Sequence, residues 1–331
     1  MGALLICTTT SACGARTLGP PAAPPPVERA VSVIPLDLDI VLRVNLQRLT
    51  QTLGPEVIQG LSERLELAHP RLGGLIQVLL GRSETLWIAF RPGVNLALLD
   101  NVVVLEGAFG KLDVSEFETL PRWSLGTDLG AGWRFHEREK PTERSAAAGV
   151  YQRREDLIVL VSYAELDSAE RSIERGGGRE AALEPPERGV VSAAARLRPL
   201  ARTLESSAPA AARVLAQGNL VEASAELGPS GLTAEIVLYY GDEATAQRAA
   251  RAAGLLATEF VNQGEYVAIL QGLKIEAVGR SAILRLHLDL PTLGALLSRN
   301  SGTGPVEPIR DFGDSRKKAA FFAFDPHPLV R

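Results

Sequence analysis

Residues 220 to 240, LVEASAELGPSGLTAEIVLYY, run directly into 241 to 261, GDEATAQRAARAAGLLATEFV. The first part contains two strand-like runs, 220 to 227 and 232 to 240, separated by a Gly-Pro-Ser-Gly segment in which Ser230 occupies a turn position. A turn this short joins antiparallel strands, because a parallel crossover needs about a dozen residues or more. The second part has a different period. Asp242 is placed to cap a helix, and Ala246, Ala249, Ala253, Leu256 and Phe260 fall along one side of it. A hairpin followed by an amphipathic helix lays the helix on one face of an antiparallel sheet, which makes the fold class α+β.

The same order of elements recurs earlier in the chain. ETLWIAF (84 to 90) and NVVVLEGAF (101 to 109) read as paired strands. LDVSEFETL follows, with Asp113 as N-cap, Glu116 at the third helical position, and Leu112 and Phe117 as a hydrophobic staple. Ahead of each pair stands a strand-like run leading into a helical stretch. In the first pass this is DIVLRVNLQRL (39 to 49), before a face formed by Val57, Ile58, Leu61 and Leu65. In the second it is GVVSAAARLRPL (189 to 200), before a helix that Pro199 and Pro209 interrupt. Each pass closes on strand, polar turn, strand and helix, over 149 to 173 and 272 to 297.

Two similar modules are therefore expected, at 31–180 and 187–300, each a mainly antiparallel sheet with helices packed on one face. The Gly-, Pro- and charge-rich segment ERGGGREAALEPPERG (174 to 189) divides them. DLIVLV lacks alternation and reads as a strand covered on both sides. ILRLHLDL alternates, with one apolar face and one mostly polar face. In the tail, 301–331, Phe321, Phe322 and Phe324 are placed to form a last strand or to dock on a partner.

Composition excludes several classes of function. The chain has 331 residues, with 35 basic against 39 acidic side chains and a net charge of −4, so it lacks the concentrated positive charge of a nucleic-acid binder. Aromatic residues make up only 5%, leaving few platforms for stacking bases or sugars. Both cysteines, Cys7 and Cys13, precede the body, which rules out disulfide, thiolate-metal and cysteine-nucleophile chemistry after residue 13.

The first thirteen residues, MGALLICTTTSAC, hold an apolar run from Ala3 to Cys7, far short of the ~18 residues that span a bilayer. Thr10-Ser11-Ala12-Cys13-Gly14 resembles the lipobox of bacterial lipoproteins, with Thr10 where that motif usually has Leu. The resemblance implies that 1–12 form a signal-like segment and that Cys13 is the lipid-attachment residue. It also implies an exported chain held at a membrane and facing the periplasm or exterior. The Pro-rich stretch 13–30, ending LGPPAAPPPVERA, suits an extended spacer between anchor and body.

Reactive constellations are sparse. His287, Asp289 and Arg285 alternate along one strand, a pattern typical of a solvated face. His69 follows an apparent helix, His136 stands among charges that suggest an exposed segment, and His327 is in the tail. None has metal-ligand spacing to another histidine. RGGGRE lacks the lysine and serine of a phosphate-binding loop, SLGTDLGAGW lacks the spacing of a nucleotide fingerprint, and Ser281 and Ser230 fall in turns. Trp87, Trp123, Trp133, Phe135, Tyr239 and Tyr240 are the notable aromatics, those of the first pass flanking a loop region, 119 to 149, long enough to shape a cleft. No catalytic residue, metal ligand or cofactor is assigned. The expected role is non-catalytic binding or scaffolding at the cell envelope, toward a protein partner. The alternatives are a carrier of an apolar, lipid-like ligand between helices and sheet, and a hydrolase with convergent Ser, His and carboxylate groups.

Overall fold

The computed structural model describes residues 30–292, apart from 56–57, 64–73, 94–97, 110–125, 131, 138–146, 154–155, 175–182, 207 and 263–271. The signal-like segment, Cys13, most of the spacer and the tail lie outside the described residues, as do His69, Trp123, His327 and the helix expected after Asp113. The strands are β1 (Ile40–Asn45), β2 (Ser83–Pro92), β3 (Leu98–Gly107), β4 (Thr127–Gly130), β5 (Trp133–Glu137) and β6 (Ala147–Arg153), followed by β7 (Leu157–Ser162), β8 (Val191–Arg196), β9 (Gly218–Gly228), β10 (Gly231–Tyr240), β11 (Leu273–Val278) and β12 (Ser281–Leu288). The helices are α1 (Leu46–Leu53), α2 (Gly74–Arg82), α3 (Leu166–Glu174), α4 (Leu197–Leu204), α5 (Pro209–Leu215) and α6 (Glu243–Asn262), preceded by a 3-10 turn at Ala30–Val33.

The α+β class is as the sequence reads, with an antiparallel sheet throughout. The twelve strands of the described residues belong to one sheet, in the order β11-β12-β10-β9-β8-β1-β2-β3-β7-β6-β5-β4. Where the sequence suggests two sheets, β1 and β8 pair antiparallel, from Ile40 opposite Ala195 to Val44 opposite Val191. The joint removes two edges whose backbone donors and acceptors would otherwise lack strand partners.

Outward from that joint the strand order reads β1-β2-β3-β7-β6 on one side and β8-β9-β10-β12-β11 on the other. Finer features repeat as well. α1 begins on buried Leu46 directly after β1, and α4 on buried Leu197 directly after β8, and each helix is 8 residues long. The register slips by one residue between Ser83 and Thr85 at the start of β2, and again where the start of β9 meets Tyr239 and Tyr240. Among the described residues, the β4–β5 hairpin, beyond β6, belongs to the first half alone.

Local chemistry sets the boundaries. The expected strand 39 to 49 stops at Asn45, whose side chain accepts from Arg48 N (2.9 Å) and opens α1. Pro209 occupies the first turn of α5 and marks the break from α4, whereas Pro199, also expected to interrupt the helix, lies within the first turn of α4, where no intrahelical donor is lost. Asp242 Oδ1 accepts from Thr245 N at 2.7 Å and caps α6. Within the region read as a cleft-forming loop, Gly130 and Gly132, at φ +79° and +82°, turn β4 back onto β5.

The two halves differ in cover. In the first, α2 and Leu46 bury one face over Leu86, Val103, Leu105, Val150, Ile158 and Leu160. The 3-10 turn and α3 bury the other face over Val41, Trp87, Val102, Val104, Tyr151, Val159 and Val161. Helical segments thus lie on both faces here, as the unbroken apolar run of β7, buried at every position, requires. In the second half α4 and α6 pack on one face, through Leu197, Ala246, Ala249 and Ala250 against Leu238, Tyr240 and Ala282. The opposite face of β9, β10, β12 and β11 carries mostly polar side chains, with Val237 and Ile283 opposite one another among them.

Candidate functional site

Two features bear on function: the point where the N-terminal segment enters the body, and the polar face of the second half. Ala30, Val31, Val33 and Ile34 are buried, so the chain is fixed in the core as soon as it leaves the spacer. The next loop, 35 to 39, is held from both halves. Arg196 of β8 donates to Leu38 O (2.9 Å) and Leu36 O (2.7 Å), and lies 3.5 Å from Asp39. Arg91 of β2 pairs with Asp37 and Glu165 and approaches Asp100 at 3.7 Å.

Glu165 is only 1% exposed, and its Oε2 is buried without a hydrogen-bond partner. Burial pushes this carboxyl above its ordinary value, against the hydrogen bond and charge of Arg91, which lower it. A guanidinium is suited to this position, since it stays charged and can reach several carboxylates from one fork.

On the polar face, residues opposite one another in the register form a row across the sheet: Trp87, Arg43, Ser192, Ser224, Glu235, Arg285 and Lys274. At the junction of the halves the Arg43 guanidinium lies 5.6 Å from the Trp87 ring centroid and donates to Glu187 O at 3.0 Å. Trp87 Nε1 and Ser192 Oγ, on either side of it, are buried and have no hydrogen-bond partner. Beyond them the charges interlock. Glu235 takes Arg285 Nε at 2.8 Å and pairs with Arg188, and Arg285 also pairs with Glu276. The Arg285 hydrogen bond, with Arg188, holds the Glu235 carboxyl below its usual range. Tyr239 donates to Glu222 at 2.8 Å, and Arg48 reaches Glu226 at 2.5 Å. The five strands β8 to β12 span about 20 Å at the usual strand spacing. The surface is nearly charge-balanced, with Arg48, Arg188, Arg285 and Lys274 set against Glu222, Glu226, Glu235 and Glu276.

The residues weighed from sequence divide clearly. Arg285 and His287 do share this exposed face, but His287 Nδ1 lies 3.4 Å from Thr233 Oγ1, and Asp289 accepts from Thr292 N (2.8 Å) as the cap of the turn beginning at 290. The three are not brought together. His136, read as exposed, is fully buried on β5, on the opposite pleat from Trp133 and Phe135. Trp133 and Tyr240 are buried, and Phe135 stacks on Tyr151 with ring centroids 4.5 Å apart, so these aromatics fill the core. Ser281 opens β12, and Ser230 lies in the β9–β10 turn. Sequence reading missed Arg91, Glu165 and Arg43, whose partners lie far away in the chain. Among the described residues, no group of three or more His, Cys, Asp or Glu is arranged to hold a metal ion, and no helix is long and apolar enough to cross a membrane.

No family model matches this chain. No curated protein matches it either. Among solved structures it is similar to crystal form III of TP0453, at 11% identity and a TM-score of 0.47, covering 81% of this chain and 97% of that one. Crystal form I of TP0453 gives 12% identity and a TM-score of 0.46, over 84% and 98% of the two chains.

Proposed function

We propose that the protein is an exported lipoprotein, tethered through a lipidated Cys13, with a non-catalytic binding or scaffolding role at the cell envelope. The observation that carries this reading is the join between Thr10-Ser11-Ala12-Cys13-Gly14, the Pro-rich spacer and the buried turn at Ala30–Val33. An extended spacer from 14 to 29 reaches about 50 Å at ~3.1 Å per residue, enough to hold the body clear of a bilayer. Any pull along it is taken up by the loop that Arg91 and Arg196 grip. The body then offers the polar face of β8 to β12 to a partner.

Fractionation of cells producing the full chain tests this role. The wild type is expected with the membranes and released by detergent, and Cys13→Ala is expected in the soluble fraction. A wild type found with the soluble cytosolic proteins would overturn it.

A further inference from the structure

We propose that the outer edge of β11 pairs antiparallel with β11 of a second copy of this chain. In the described residues β11 is the last strand of the sheet and pairs only with β12. An edge of this kind presents a row of backbone donors and acceptors to any strand that fits it. The first half shows what such an edge accepts. There β6 holds the position corresponding to β11, and its outer side is paired antiparallel by β5, from Trp133 opposite Arg153 to Glu137 opposite Gly149. The second half has no such hairpin among its described residues.

The occupant is chosen by charge. Lys274 and Glu276 are both exposed and project on the polar face, separated by Ile275. With the twofold axis at Ile275, Lys274 of one copy stands opposite Glu276 of the other, and Glu276 opposite Lys274. Opposite charges facing across a strand pair stabilise it, and like charges destabilise it. Moving the axis to 274 sets Lys against Lys, and moving it to 276 sets Glu against Glu, so one register is favoured.

Lys274 is also available to a carboxylate of the second copy. It makes no ion pair among the described residues, and its neighbour across β11–β12 is Arg285, already engaged by Glu235 and Glu276. A single charge on an edge strand normally repels a copy of itself. An alternating Lys and Glu pair instead favours its own antiparallel image.

The test is sedimentation velocity over a concentration series, on the full chain carrying Cys13→Ser in reducing buffer, so that neither lipid nor disulfide contributes. That background keeps the result independent of the anchoring reading. A reversible monomer–dimer equilibrium is expected. Lys274→Glu alone and Glu276→Lys alone should each weaken it about tenfold or more, with a cooperative melt of each variant showing that it stays folded although Glu276→Lys also removes the pair with Arg285. Mixing the two variants should restore association, because each strand then meets its opposite charge twice. A wild type that stays monomeric overturns the proposal. So does a dimer indifferent to both reversals, or a mixture that fails to recover. Slow amide exchange along β11 in a monomeric wild type would place another segment of the same chain on that edge, and would also contradict the proposal.

Discussion

Arg91 lies between three carboxylates, and two of them, Asp100 and Glu165, are buried. Removing its guanidinium strands a charge in the core, so Arg91→Ala should cost about 3 kcal/mol in urea unfolding. Glu165 itself gives a pH signature. Its folded value is raised, so as pH climbs past the ordinary glutamate range the unfolded chain ionises first. Stability is then lost until the elevated folded value is passed. Glu165→Gln lacks this slope, so the advantage of wild type over variant in urea midpoint should be greatest near pH 4 and shrink toward pH 7. A constant difference across that range would contradict the burial of an ionisable group here. None of this was legible in the sequence. Arg91 and Glu165 are 74 residues apart, and a buried ion pair leaves no local periodicity. His136 shows the same limit, because its charged neighbours suggested exposure, and burial was decided by packing from other strands.

At the scale of elements, sequence signals were strongest where one residue acts on its own neighbourhood. The cap at Asp242, the break at Pro209 and the hairpin at 228 to 231 are written in short-range chemistry. Asn45 was passed over as part of a strand, although an Asn before a leucine-rich run is a plausible cap. Asn45→Ala should cost about 1 kcal/mol, read from the thermal midpoint. Gly231, at φ +129°, packs so close to the carbonyl oxygen of Leu288 that a Cβ would collide with it. Gly231→Ala should therefore destabilise the β9–β10–β12 region by more than about 2 kcal/mol, with amide exchange accelerated there first. The β4–β5 hairpin escaped notice because β4 is only 4 residues long and fully exposed, too short to show alternation. The β1–β8 joint escaped for another reason, since backbone groups make it and every residue type but proline can supply both of them.

At the scale of the molecule, that joint makes one sheet from two repeated strand orders. Ile40 and Phe90 share a buried cluster with Ala195, and Arg43 and Arg196 reach across the boundary. The halves should consequently unfold together. Tryptophan fluorescence reports on the first half alone, because Trp87, Trp123 and Trp133 all precede residue 174. Its denaturant transition should coincide with that of far-UV circular dichroism, which sees both halves. Separated transitions would mean that the joint is too weak to couple them.

The same scale holds the account of where the protein works, which rests on one sulfur, that of Cys13. Intact-mass analysis of the protein purified from its natural membrane addresses it directly. A mature chain beginning at Cys13 and carrying the added mass of a diacylglyceryl group is the expected result. A chain that keeps residues 1 to 12 and an unmodified Cys13 thiol would contradict it.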